Sequence, residues 1–232
     1  MPKPSRPELL DAACDRIAPL VRPGVRTLVG IAGPPAAGKS TLANALAATF
    51  QADLGPEAAV VVPMDGFHLS NAELERLGLA DRKGAPQTFD TAGFVQLLER
   101  VRSGGALVYA PGYSRTLHES IGGVIPVFPH TWLVVVEGNY LLLPQEPWTR
   151  GRALFDLVVY VDAPDADRVD SLLRRQHSRG LDVEEAQDWV QRSDEANARL
   201  IATTRRYADV VLARGGPAGR RPAREGNPAT TD

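Results

Sequence analysis

The sequence predicts an α/β fold: a mostly parallel five-stranded sheet with helices on both faces. Two observations point there. Short apolar runs recur without polar alternation, the mark of strands buried on both sides. Between them lie longer segments whose apolar residues fall at helical spacing, so strand and helix alternate along the chain. Leu9 to Val21 reads as a helix through Leu10, Cys14, Ile17 and Leu20, and stops before Pro23-Gly24. Thr27 to Ala32 is too compact for a helix and is bounded by Gly33. Leu42 to Phe50 is rich in alanine and leucine, both strong helix formers. Ala59 to Met64, with its run of valines, is the next strand, and Thr91 to Val101 is a helix through Phe94, Leu97, Leu98 and Val101. Ala106 to Tyr109, Trp132 to Val136 and Leu157 to Val161 are further strand candidates. Asp165 to Ser178 and Val183 to Tyr207 read as helices, and Asp209 to Leu212 as a last short strand.

The chain has 232 residues, 44% of them hydrophobic and 23% charged, which suits one large globular domain. From Arg214 onward it turns Gly/Pro/Arg-rich, so the expected division is a domain over 1–213 and a disordered tail over 214–232. A net charge of -2 offers no summed positive field to attract nucleic acid or an anionic membrane. The single cysteine, Cys14, excludes an intramolecular disulfide and fits a reducing cytoplasm. No apolar run approaches the ~18 residues of a membrane span, since Glu137 interrupts the richest stretch. Glu8, Asp11 and Asp15 stand where a secretory signal needs an apolar core. The expectation is a soluble cytoplasmic protein, its oligomeric state left open with a homodimer as one option.

Gly33-Pro34-Pro35-Ala36-Ala37-Gly38-Lys39-Ser40, followed by Thr41, matches the P-loop pattern of two glycines five apart and then Lys-Ser/Thr. With only 3 lysines in the chain, about 0.002 such matches are expected by chance. The chemistry needs these residue types. Glycines let the backbone aim several N–H groups at phosphate oxygens, and the following helix adds its positive end. Lys39 then reaches the β- and γ-phosphates of ATP, while the Ser40 hydroxyl ligates Mg²⁺. No Asn-Lys-x-Asp guanine reader and no Ser-Gly-Gly-Gln-like stretch occurs, which removes switch GTPases and transporter ATPases. Small-molecule and nucleotide kinases remain.

Asp65, the first residue of an Asp-Gly pair, closes the valine strand, and Glu137 closes Val134-Val135-Val136. In parallel sheets the carboxyl ends of strands face the ligand crevice, so both acids are candidates for the phosphoryl site. A plain Asp-Gly turn and a surface acid are the other readings.

These motifs, with Tyr113-Ser114-Arg115, Val136-Glu137-Gly138 and Arg174-Arg175-x-x-x-Arg179-Gly180 in that order, resemble the phosphoribulokinase/uridine kinase/pantothenate kinase superfamily. The resemblance covers about residues 26 to 212, and is nearest to a bacterial nucleoside/nucleotide kinase-like or fructokinase-like branch. It implies a three-layer P-loop kinase fold with an arginine-bearing lid. It makes Asp65 the base that takes the acceptor hydroxyl's proton and has Glu137 either hold Mg²⁺ through water or help orient the acceptor, the division of base and metal duties between the two acids staying open. Arg174, Arg175 and Arg179 become the lid over the transferring phosphoryl, Arg174 also touching nucleotide. The acceptor pocket falls to Phe67, His68, Lys83, Tyr113, Arg115 and His118. One departure stands out: Gly66 follows Asp65, where uridine kinases usually carry an aromatic residue or Ser. The acceptor is then a sugar, a pantothenate-like alcohol or a nucleoside. An ATP-binding regulatory protein and a nucleoside monophosphate kinase stay open as alternatives. Asn197 either matches the family's similar Asn or faces solvent on its helix, and Trp132, Trp148 and Trp189 are expected in the core.

Overall fold

The computed structural model describes residues 6–178 and 180–214. Its strands are β1 (Thr27–Ala32), β2 (Ala59–Pro63), β3 (Val108–Ser114), β4 (Glu119–Val127), β5 (Leu133–Gly138), β6 (Leu157–Asp162) and β7 (Val210–Ala213). The helices are α1 (Arg6–Ile17), α2 (Lys39–Leu54), α3 (Asn71–Arg76), α4 (Thr91–Ser103), α5 (Trp148–Arg152), α6 (Asp165–His177), α7 (Val183–Trp189) and α8 (Glu195–Thr204). A five-stranded sheet runs β2-β5-β1-β6-β7, parallel throughout.

Alternation along each strand explains the two cores. Successive side chains point to opposite faces, so Val29, Ile31, Val135 and Val159 join Leu42, Leu46 and Phe50 of α2 and Ile17 of α1 on one face. Leu28, Val134, Val136 and Val158 join Phe94 and Leu98 of α4, Trp148 and Ile201 on the other. Burying a side chain of this size fully is worth roughly 1.5–3 kcal/mol, which is why valine runs serve a sheet covered twice.

Two expectations change. The strand expected at Ala106 to Tyr109 is the start of β3, which leaves the main sheet and pairs antiparallel with β4. Tyr113 is therefore a strand residue, and only residues 115–118 form the turn. The continuous helix expected over Val183 to Tyr207 divides instead: a π turn at Val190–Asp194 separates α7 from α8, and a 3₁₀ turn at Arg205–Tyr207 ends it. A π turn adds one residue to the helical cycle and so rotates α8 against α7, an offset that a 3.6-residue period does not reveal. Short α3 was not foreseen either. Ser70 caps it, its side chain accepting from the Glu73 amide. The expected tail lies outside the described residues, apart from Arg214.

Candidate active site

The phosphate loop leaves β1 under tight constraint. Gly33 has φ +147°, and a Cβ on it would come 2.4 Å from the Val161 carbonyl oxygen of β6, so only glycine fits. Ala36 (φ 60°) and Gly38 (φ 101°) turn the loop left-handed before Lys39 opens α2. The Lys39 ammonium folds back and donates to the Pro34 carbonyl at 2.9 Å. It is buried, and burial lowers its pKa to about 8 against the opposing pull of Glu137 and Asp65.

Strand register brings the two acids to this loop. Glu137 stands between Ile31 of β1 and Pro63 of β2, so Gly33 and Asp65 each lie two residues beyond its neighbours. Glu137 is 7% exposed. Burial raises its pKa, and the Asp65 charge adds to this; Lys39, a hydrogen bond with Ser40, and Arg115 oppose it. Asp65 sits in a 3₁₀ turn, Met64–Phe67, with its side chain 41% exposed toward the cavity.

The opposite wall is aromatic and basic. His68 stacks on Phe89 with centroids 4.0 Å apart and lies 5.2 Å from the Tyr113 ring. Its Nε2 is 4.0 Å from Asp65 Oδ1, while burial lowers the imidazole pKa. The Thr88 carbonyl also bears on this ring, although Nδ1 makes no hydrogen bond of good geometry. Lys83 donates to Asn71 Oδ1 and, at 2.7 Å, to the His118 carbonyl, with its ammonium 5.6 Å from the Tyr113 ring centre. The next residue is anchored as well: the Gly84 carbonyl accepts from the Tyr140 hydroxyl at 2.6 Å and from Asn197 Nδ2 at 3.4 Å.

Most of these groups border one cavity of about 690 Å³, though Gly33, Pro34, Asn71 and Tyr140 stand behind its lining. Ala36, Gly38, Lys39, Ser40 and Thr41 line its phosphate end, and Asp65 and Glu137 its middle. His68, Lys83, Tyr113, Arg115 and His118 line it as well, as do Arg174 and Arg175. Pro34 serves through its carbonyl, and Ala37 is fully buried against the α2 core. Arg175 is near enough to Lys39 to depress its pKa. Arg174 is exposed and paired with Asp170 at 3.0 Å. Arg179 lies outside the described residues.

Phe67 departs from its expected place. It is 9% exposed and packs edge-on against Phe94 in the core, because the three-residue period of the 3₁₀ turn puts it on the same buried face as Met64. Trp189, expected in the core, borders the cavity instead. Asn197 does face the site. Arg168 was missed altogether. At 2% exposure its guanidinium bonds Asp165, Glu195 (3.1 Å) and the Pro35 carbonyl of the phosphate loop (3.4 Å). The signal was there, since Arg168, Leu172 and Gln176 form the buried stripe of α6 at four-residue spacing.

Among the described residues no helix is long and apolar enough to cross a membrane, and no cluster of three or more His, Cys, Asp or Glu is arranged to hold a metal.

The sequence profile described as "Phosphoribulokinase / Uridine kinase family" matches residues 28–218. A Schizosaccharomyces pombe protein provisionally named a uridine kinase is 31% identical over 211 residues, spanning 87% of this chain and 89% of its own. The pantothenate kinase of Leifsonia xyli is 38% identical over 142 residues, which is 60% of this chain but 44% of that enzyme. The crystal structure of a provisionally named fructose transport system kinase from Silicibacter sp. TM1040 superposes with a TM-score of 0.80 at 38% identity, covering 88% of this chain and 98% of that one.

Proposed function

The chain belongs to the phosphoribulokinase/uridine kinase family, and from that premise we propose that it transfers the γ-phosphoryl of ATP to a hydroxyl of a small polar metabolite, with Asp65 as the base. It is a small-molecule kinase. The observation behind the finer reading is the partly exposed Asp65 carboxylate between a phosphate loop and a separate aromatic-basic chamber in one cavity. A protein that only bound ATP would need no such chamber.

Phosphoryl transfer asks chiefly for positioning and charge stabilisation. Lys39 and the loop amides grip the β- and γ-phosphates. The acceptor oxygen attacks the γ-phosphorus while Asp65 takes its proton. The bond from the γ-phosphorus to the bridging oxygen breaks, and ADP leaves with that electron pair. Arg175 stabilises charge on the moving phosphoryl, with Arg174 and Arg179 as the other lid arginines. Ser40 and Glu137 would hold Mg²⁺, and Asp65 can share it. The donors fit, being hard oxygens of which Ser40 and Glu137 already share a hydrogen bond. When bound, Mg²⁺ neutralises charge on the β- and γ-oxygens.

His68, Lys83, Tyr113, Arg115 and His118 would hold the acceptor, whose classes are a sugar such as fructose, a pantothenate-like alcohol or a nucleoside. The test is ADP release from Mg-ATP across these three alcohol classes. Release that depends on one of them is expected; slow hydrolysis indifferent to every alcohol would overturn the transferase reading.

A further inference from the structure

Resting on that kinase reading, we propose that the acceptor is an anionic alcohol, bearing a carboxylate or phosphate besides the reacting hydroxyl, and that Arg115 holds the anion.

Topology divides the cavity. The strand order β2-β5-β1-β6-β7 puts Asp65 and Glu137 on one side of the phosphate loop, and α6 and the end of β7 on the other. Arg174, Arg175 and Arg214 therefore belong to the nucleotide side, leaving Lys83 and Arg115 as the permanent cations of the acceptor side. The carboxylates lining the cavity are Asp65, Glu137 and Asp194. Asp65 and Glu137 are engaged with the reacting hydroxyl and the Ser40–Lys39 group, and Asp194 sits beside Tyr140.

Several arginines among the described residues lack a carboxylate partner, and Arg115 is the one on the acceptor side of the cavity. Arg76, Arg102, Arg150, Arg152, Arg168 and Arg205 all have a carboxylate partner. Among the described residues Arg115 has no ion pair or hydrogen bond, only a longer-range pull on Glu137. Lys83 spends its ammonium on two neutral oxygens, with Glu119 acting on it from the hairpin. One of those oxygens is the His118 carbonyl, so Lys83 holds the turn that carries Arg115.

The turn cannot swing aside freely. The hairpin is seated on the Asp65 turn through the Gly66–Pro111 contact, and Ser120 Oγ donates to the His68 carbonyl at 2.9 Å. A guanidinium is thus presented from a fixed backbone toward the acceptor chamber. Closing that chamber over a neutral alcohol would strip water from Arg115 without giving it a counter-charge, whereas a carboxylate or phosphate matches its fork with paired hydrogen bonds.

Two measurements test this. With the phosphate loop saturated by Mg²⁺ and a non-hydrolysable ATP analogue, malonate, malonamide and inorganic phosphate are titrated calorimetrically. Malonate or phosphate should bind at least about tenfold tighter than malonamide. Arg115→Gln should erase the difference, and Arg115→Lys should keep part of it. Turnover is then compared within matched pairs, a hydroxy acid against its amide and a sugar phosphate against the free sugar; the better pair tells carboxylate from phosphate. Malonamide binding as tightly as the anions, or Arg115→Gln leaving anion affinity unchanged, overturns the inference. Turnover of neutral alcohols equal to that of their acids also overturns it while leaving the kinase standing. Arg115-dependent anion binding with no ADP release from any pair would overturn the transferase and leave the anion site.

Discussion

Gly66 lies so close beneath Pro111 that a Cβ on it would come 2.3 Å from the Pro111 carbonyl oxygen and 2.6 Å from its carbon. Backbone meets backbone there, so no side-chain rotation relieves the clash. Gly66 thus answers a tertiary contact, the seating of the β3–β4 hairpin on the turn that carries Asp65. Gly66→Ser should lift the hairpin, cost about 1–3 kcal/mol of stability as overpacking does, and raise the acceptor KM far more than the ATP KM. Urea unfolding and a two-substrate kinetic matrix read both effects.

Asp65→Asn keeps the shape of the side chain and removes its capacity to take a proton. Turnover should drop by at least about a hundredfold while ATP affinity stays within about twofold. Stopped-assay kcat together with nucleotide titration separates the two; an unchanged kcat would remove Asp65 as base.

Lys39 carries the pH dependence. Its pKa is held down to about 8 by burial, and bound phosphates should raise it again. ATP binding above pH 8 should therefore take up a proton, and affinity should weaken by up to about tenfold per pH unit beyond that point. For the free protein the sign is opposite. Between pH 8 and the ordinary lysine range the unfolded chain holds more protons than the folded one, so this group adds stability as pH rises through that window. Calorimetry in buffers of different ionisation enthalpy detects the proton directly.

Arg168 ties three elements together, and its removal would leave Glu195, whose side chain is 23% exposed, without its partner. Asp165, 84% exposed, would simply return to water. Arg168→Gln should cost about 3 kcal/mol and raise the ATP KM through the loosened Pro35 carbonyl. Arg168→Lys should recover less than half of the stability, because one ammonium cannot reach all three acceptors. Thermal melts with and without nucleotide distinguish loss of stability from loss of loop placement.

Local structure was legible in the residues themselves. Pleat and helix periodicity repeat every two and 3.6 residues, so the valine strands, α2 and α4 showed themselves within short windows. The phosphate-loop pattern did too, because Gly33, Gly38 and Lys39 lie in one contiguous stretch of backbone. Asp65 and Glu137 followed from their place at strand ends, before any register was known. What only the tertiary structure decided depends on residues distant in the chain. Phe67 turned to the core and its neighbour His68 to the cavity; Pro111 dictated Gly66; the π turn aimed Asp194 and Asn197 at Tyr140 and Gly84. Each of those outcomes is a packing or hydrogen-bonding choice between elements, and no window along one strand or helix contains both partners.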